Sequence, residues 1–303
     1  MQEKFKYILT MHTKYTYINK GFNMQNFTLH THNNELRFDG RADAQTMIQQ
    51  AQDLNFETIG VSNHIILHDN LTPFKKNETM FFDNFDTALD CYKKHIEILE
   101  NLKSKFKINI KIGFEVDFFS STTWRNKFEK MIKDMPTDYL IGSNHFVKSQ
   151  DESFVCNIYH LKHLSPQLDE ETLHQYTINH FKNIIECIKS GYFNFIAHMD
   201  YCTIKGLGDT PIYDEYKYQI IEALNSTQTP IELNTSGYNR INRPHPDTWI
   251  LKELAKANKA PILISDDAHF KEEIGQHFSK AETLLNSLNY TNRFTLDMLK
   301  RKF

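Results

Sequence analysis

The sequence lacks any apolar run long enough to cross a bilayer. No stretch approaches the roughly 18 uninterrupted apolar residues that a spanning helix needs, although 40 % of the 303 residues are hydrophobic. That share is ample for a buried core, so a globular interior is expected and a membrane partner is not. The opening residues, MQEKFKYILTMHTKYTYINK, are interrupted by Lys, His and Thr. They show neither the apolar centre nor the small-residue cleavage site of a secretory signal. Cysteine is scarce: Cys91, Cys156, Cys187 and Cys202 stand far apart with no C-x-x-C pair. A disulfide scaffold is therefore not expected; isolated thiols in a chain of this length read as reduced and place the protein in the cytoplasm. Charge of one sign is also missing. A net charge of −3 and a pI near 6.6 supply no general field for nucleic acid or anionic lipid. Low-complexity tracts, internal repeats and Pro/Gly-rich linkers are absent as well.

What remains is an alternation of short β-branched or apolar runs with longer amphipathic stretches. Strands are expected at 26–31, 57–62, 108–116, 138–143, 193–197, 230–234 and 261–265. Helices are expected between them at 42–54, 85–104, 122–134, 170–190, 214–226 and 246–258, with 279–287 and 295–302 closing the fold. Apolar residues at helical spacing, as in Leu173, Tyr176, Phe181, Ile184, Ile185 and Ile188, suit packing of one face on a sheet. Seven strands alternating with helices indicate parallel βα units. The expected architecture is α/β, a closed or distorted barrel first and an open doubly wound sheet second. Residues 1–23 read as an N-terminal extension, with Met24 a candidate natural start, and 24–303 as one barrel domain. The segments 68–82 and 146–166 look long and irregular enough to form loops over a site.

Histidine is the one abundant oddity, with 15 copies, and its placement carries the functional reading. The first strand ends in His30-Thr31-His32, and residues two apart on a strand point the same way. The second ends Ser62-Asn63-His64, the third Gly113-Phe114-Glu115, and the fourth Gly142-Ser143-Asn144-His145. The fifth ends Ala197-His198, and the seventh runs into Asp266-Asp267-Ala268-His269. Six of the seven expected strands thus deliver His, Asp or Glu to the C-terminal edge, where parallel barrels and sheets build active sites. Imidazole and carboxylate without thiolate suit Zn, Mn or Fe. So many ligands exceed one ion, so two or three divalent ions are expected. Clustered ions bridge a water and hold a phosphoryl group, which makes hydrolysis of a phosphate ester by metal-bridging hydroxide the natural reaction. His68, His95, His160, His163, His174, His180 and His277 fall away from the strand ends and read as surface or packing residues.

Taken together, these motifs resemble those of the polymerase-and-histidinol-phosphatase (PHP) superfamily, in order across residues 26–270. Glu232-Leu233-Asn234-Thr235-Ser236-Gly237, followed by arginines, is similar to its histidinol-phosphatase branch. The resemblance implies a distorted (β/α)7 TIM-like barrel with three divalent ions at the C-terminal ends of the strands. It implies that His30, His32, Glu115 and Asp267 hold one ion, and that Glu115 shares a second with His145 and His198. Asp39, His64 and His269 would serve the third. Asp39 reads equally as a turn residue before Gly40, and if not a tight ligand it would protonate the leaving alkoxide; Asp39, Asp267 and His269 are the expected catalytic residues. Phosphate oxygens also need cationic donors, and Arg240 and Arg243, just past the sixth strand, suit a bidentate grip. Relatives generally carry an arginine shortly after the fifth-strand histidine. Here Lys205 is the only nearby cation, a departure that bears on substrate identity. His245, before Pro246, is placed to touch substrate.

The expected activity is therefore histidinol-phosphatase, with a small phosphorylated metabolite as partner and no nucleic acid. A nuclease, or a phosphatase of nucleotides or sugar phosphates, is the alternative that keeps the metal site. A non-catalytic metal-binding module is the alternative from another class.

Overall fold

The structure is a computed structural model, and it describes residues 24–36, 38–68, 82, 84–149, 151–164 and 167–300. The expected extension at 1–23 and most of the expected loop at 68–82 lie outside the described residues.

Strands β1 (Phe27–Thr28), β2 (Thr58–Val61), β3 (His64–Ile65), β4 (Asn109–Asp117) and β5 (Tyr139–Ser143) belong to one sheet. A hairpin, β6 (Phe146–Lys148) and β7 (Val155–Asn157), stands apart, and β8 (Phe195–Ile196), β9 (Ile231–Asn234) and β10 (Ile262–Ser265) complete the sheet. Its order is β1-β2-β4-β5-β8-β9-β10, every pair parallel. The remaining strand, β3, continues β2: Val61 lies opposite Ile112 and His64 opposite Glu115, the same register on β4. Seven strands therefore go round. The ends meet where Thr31 bridges Ala268, with the His32 N–H donating to the Ala268 carbonyl at 2.8 Å. The barrel is nearly closed and distorted.

Helices α1 (Ala44–Asp53), α2 (Phe85–Lys103), α3 (Thr122–Lys133), α4 (Glu170–Ser190) and α5 (Asp214–Thr227) line the outside, as do α7 (Thr248–Ala257) and α8 (Phe278–Ser287). Between α5 and α7 a single turn, α6 (Gly237–Arg240), follows β9. Local chemistry sets the helix starts. The side chains of Asp43, Asn84, Ser121, Asp169 and Asp247 each accept a hydrogen bond from a first-turn N–H, satisfying donors that the helix leaves unpaired. On α4, Ile178, Phe181, Ile184, Ile185 and Ile188 are buried against the strands. These contacts belong to the large core between helices and barrel.

A second, smaller core fills the barrel below the strand ends: Phe27, Leu29, Tyr139, Ile141, Phe195, Ala197, Leu263 and Phe294. Tyr139 spans this interior, and its hydroxyl donates to the Leu29 carbonyl at 2.6 Å. Room for the ring comes from Gly60 and Gly113, where a Cβ would collide with it.

Several boundaries differ from expectation, each for a local reason. The first strand shortens to two residues because the Leu29 carbonyl takes the Tyr139 hydroxyl and the Thr31 N–H donates to Ser62 Oγ at 3.2 Å. Side chains there replace ladder partners. The segment 146–166 is not irregular over most of its length: the β6–β7 hairpin and a 3-10 turn, Ile158–His163, occupy it, with Phe146, Val147, Val155, Ile158 and Leu161 buried. The helix expected at 295–302 is a single 3-10 turn, Leu296–Met298. Just before it, the Phe294 N–H donates to the Ile262 carbonyl at 2.9 Å, holding the tail extended under the barrel, where Leu296 and Leu299 pack on the inner core.

Candidate metal centre

Strand polarity assembles the site, because successive C-terminal ends rise to one rim. At its centre is Glu115 on β4, wholly buried. Its Oε2 lies 3.0 Å from His64 Nδ1, 3.3 Å from His30 Nε2 and 3.6 Å from His32 Nε2. Its Oε1 lies 2.9 Å from His198 Nε2 and 3.6 Å from His145 Nε2. Asp267, just past β10, brings Oδ1 to 3.3 Å from His32 Nε2 and 3.6 Å from His30 Nε2. Asp39 brings Oδ2 to 3.3 Å from His269 Nε2 and 3.6 Å from His64 Nε2. The His32 ring stacks between His64 and His269, at centroid separations of 4.6 and 4.3 Å.

All nine residues expected as ligands thus meet at one rim. Four overlapping groups place their ligand atoms within 4.8 Å of one another: His30–His32–Asp267, His30–Glu115–His198, His64–Glu115–His145 and His32–Asp39–His64–His269. Glu115 belongs to two of them and His30, His32 and His64 to two each, the pattern expected of neighbouring ions that share ligands.

A cation fits what these atoms lack. His30 Nε2, both nitrogens of His32, Asp39 Oδ1 and both oxygens of Glu115 are buried without a hydrogen bond. Leaving so many polar atoms unsatisfied is costly unless something binds them. Charge points the same way. Burial would push the Glu115 carboxyl up, but the imidazoles of His145, His30 and His64 outweigh it and hold it well below the usual carboxylate range. Asp267 is likewise held low, chiefly by His30 and His32 against burial. His32 goes the other way: burial, with His269 and His64 alongside, lowers it to about 3 and keeps it a neutral lone-pair donor. Buried anions demand compensating positive charge, and an all-nitrogen-and-oxygen donor set suits Zn, Mn or Fe.

Two carboxylates that orient this shell are not among the expected site residues. Glu232 on β9 accepts from His30 Nδ1 at 2.8 Å, from the His198 N–H at 3.0 Å and from Ser265 Oγ at 2.7 Å. Asp117 accepts from the His145 N–H at 2.7 Å and from its Nδ1 at 3.1 Å. Such carboxylates fix the ring tautomer and make the other nitrogen a better ligand. Asp117 was findable, since it follows Glu115 by two on one strand and so shares its inward face. Glu232 lay within a quoted motif without a role. His95 and His180, read from sequence as packing residues, are wholly buried and face Asn63 Nδ2 at 3.2 Å and Asn144 Nδ2 at 3.1 Å, respectively. Asp267 itself has φ 49°, an uncommon left-handed conformation for a non-glycine residue, of the kind that collects at functional sites.

The three expected phosphate-binding cations are placed differently. Arg240, exposed at the end of α6, lies in the electrostatic field of Asp267 and Tyr201. Lys205 Nζ sits 3.4 Å above the Tyr159 ring. Arg243 is engaged elsewhere: its guanidinium reaches Asp200 at 2.8 Å, and Asp209 and Asp247 at 3.1 Å each. His245 is buried, with Nδ1 on Asp200 Oδ1. No helix among the described residues is long and apolar enough to cross a membrane.

A family model described as the PHP domain matches residues 28–236. A probable histidinol-phosphatase of Deinococcus radiodurans is 22% identical over 201 residues, covering 64% of this chain and 71% of that protein. The histidinol-phosphatase of Lactococcus lactis subsp. lactis is 20% identical over 238 residues, covering 75% of this chain and 83% of that one. Among solved structures, histidinol phosphate phosphatase from Lactococcus lactis subsp. lactis, complexed with zinc, L-histidinol and phosphate, matches with a TM-score of 0.65 at 18% identity. The match covers 92% of this chain and 99% of that one. At such identity the structural likeness establishes the barrel.

Proposed function

Since the chain belongs to the PHP domain family, we propose that it is a metal-dependent phosphomonoesterase that hydrolyses L-histidinol phosphate to L-histidinol and inorganic phosphate. The observation that carries this reading is the convergence of nine imidazole and carboxylate side chains, Glu115 at their centre, on one rim, with buried donor atoms left unsatisfied. The substrate is drawn from the Lactococcus lactis relative, whose structure holds L-histidinol and phosphate beside zinc. Divalent ions bound here supply Lewis-acid charge to a phosphoryl group and activate water.

The residues divide the work. His30, His32, Asp267 and Glu115 hold one ion, Glu115 with His145 and His198 a second, and Asp39, His64 and His269 a third. Asp39 serves as a ligand on this reading, because its carboxylate already lies between His64 and His269. Glu232 and Asp117 keep His30 and His145 turned to the centre. Of the three candidate cations, Arg240 is the phosphate donor we favour, with Lys205 behind it, since the Arg243 guanidinium is spent on three carboxylates. A planar guanidinium matches two phosphate oxygens at once.

The test is phosphate release by purified, metal-loaded protein from L-histidinol phosphate, beside nucleotides, sugar phosphates and single-stranded DNA. Histidinol phosphate should give the highest kcat/KM, and a chelator should abolish release. A better nucleotide, sugar-phosphate or DNA substrate would overturn the assignment, as would stoichiometric metal without turnover.

A further inference from the structure

Ligand histidines need a partner on the nitrogen that does not face the metal, and three of those at this rim have one. His30 Nδ1 meets Glu232, His145 Nδ1 meets Asp117, and His269 Nδ1 meets the Asp267 carbonyl at 3.0 Å. His198 differs. Its Nε2 faces Glu115 at 2.9 Å, whereas its Nδ1 is buried with no hydrogen bond. Beside it stands a second ring with the complementary defect: His245, 1 % exposed, whose Nδ1 is held by Asp200 and whose Nε2 is buried without a partner. The two rings lie edge to face at a centroid separation of 6.5 Å.

We propose that His245 is a positioning residue that acts through His198, relaying the Asp200 carboxylate to it as the outer support of one metal ligand. The hydrogen bonds run in one consistent direction. Asp200 Oδ2 accepts from Arg243 Nη1 at 2.8 Å and from the Asp247 N–H at 2.9 Å. Its Oδ1 accepts from His245 Nδ1–H, which leaves a lone pair on His245 Nε2. The relay adds one bond to these, from His198 Nδ1–H to that lone pair, which would leave the His198 Nε2 lone pair for an ion. No proton moves along this chain of bonds. A direct bond between two rings needs a centroid separation of about 5 Å, so the relay forms when the His198 ring moves towards His245 by about an ångström. His245 itself is fixed, because its N–H and carbonyl pair with Asn234 at the end of β9. On this account Arg243 acts at the far end of the chain, locking Asp200, and not on phosphate.

The inference rests on the metal-centre reading, and its test uses zinc alone, so a failure to hydrolyse histidinol phosphate leaves it standing. Zinc affinity and stoichiometry are measured for wild type, His245→Leu and His245→Gln, alongside melting temperature. Removing an outer support lowers metal affinity by about 10–100-fold, and His245→Leu should show that loss in one of the ions. His245→Gln places an acceptor oxygen near the lost Nε2 and should recover most of the affinity. Imidazole NMR of 15N-histidine-labelled protein should show His198 protonated at Nδ1 in wild type and in His245→Gln. Unchanged zinc affinity in a folded His245→Leu would overturn the proposal, as would a His198 protonated at Nε2. Should the leucine variant not fold, the glutamine variant decides: affinity near wild type supports the relay, and a loss of about 10-fold or more ends it. Where turnover is measured, a fall in kcat at constant KM supports the relay, and a rise in KM alone would make His245 a substrate contact instead.

Discussion

The two halves of the barrel interior are built from the same strands and differ in everything else. Along β5 the inward residues run Tyr139, Ile141, Ser143, and two positions on comes His145; along β10 they run Leu263, Ser265, then Asp267. Below, the side chains are aromatic and aliphatic, packed with Phe27, Phe195 and Phe294. Above, they are imidazoles and carboxylates, many with no hydrogen bond. The same period-two alternation that builds a dry floor builds a crowded polar mouth a few residues later. The lesson is a division of labour: apolar burial below gives the barrel the stability to tolerate unsatisfied groups above.

Breaking the comparison from above should have the largest effect. Glu115→Gln removes the charge on which His30, His64, His145 and His198 converge. Turnover should fall on the order of a thousandfold or more, equivalent to about 4 kcal/mol of lost transition-state stabilisation, with metal content reduced. Circular dichroism should still report a folded barrel. Near-normal kcat in this variant would show that Glu115 is not the shared ligand.

Breaking it from below should do the reverse. Tyr139→Ala empties the space between Gly60 and Gly113 and should cost about 3–5 kcal/mol of stability, the usual range for large aromatic truncations. Tyr139→Phe keeps the ring and strands only the Leu29 carbonyl, costing about 1–3 kcal/mol. Urea unfolding measures both. The folded fraction of the phenylalanine variant should retain its kcat, and a collapse of kcat there would mean that floor and mouth are not separable.

Asp117→Asn probes the seam between them. The residue lies at the end of β4 and touches only His145 among the ligands. Losing a carboxylate behind a metal-ligating imidazole should reduce metal affinity or turnover by about 10–100-fold. An unaltered zinc titration would remove Asp117 from the site.

Much of this was legible before the fold. Hydrophobic runs located all seven barrel strands, and the residues at their ends located eight of the nine side chains that meet, because both follow from local periodicity; Asp39, off the strand ends, came only with the family resemblance. What stayed hidden depends on contacts between distant segments. Nothing near Glu232 in sequence signals that its oxygens serve His30, His198 and Ser265 together. The β6–β7 hairpin was missed because strands of three residues give too few alternations to read. The expected helix at 295–302 gave way to a single turn because Leu296 and Leu299 pack on the inner core, with the chain just before them paired to Ile262. Arg243 reads in sequence as a phosphate donor because nothing near it shows that Asp200, Asp209 and Asp247 surround its guanidinium.

The gentlest probe concerns the buried histidines behind the mouth. Burial lowers the pKa of His95 from the ordinary 6.5 to about 3, and burial likewise takes His180 to about 3. Between these limits the unfolded chain binds protons that the folded chain refuses, so stability falls as pH drops from 6.5 towards 3 and is unaffected above. His95→Gln should move the acid-unfolding midpoint modestly downward. A midpoint that stays put would mean that other groups govern acid unfolding.

The ring of Tyr139, wedged where two glycines make way for it, turns what could have been a pipe into a cup. With the floor filled among the described residues, whatever the rim binds arrives from the mouth side. Cations held by His30, His32, Glu115 and Asp267 would then have to be seated before an ester could rest on them.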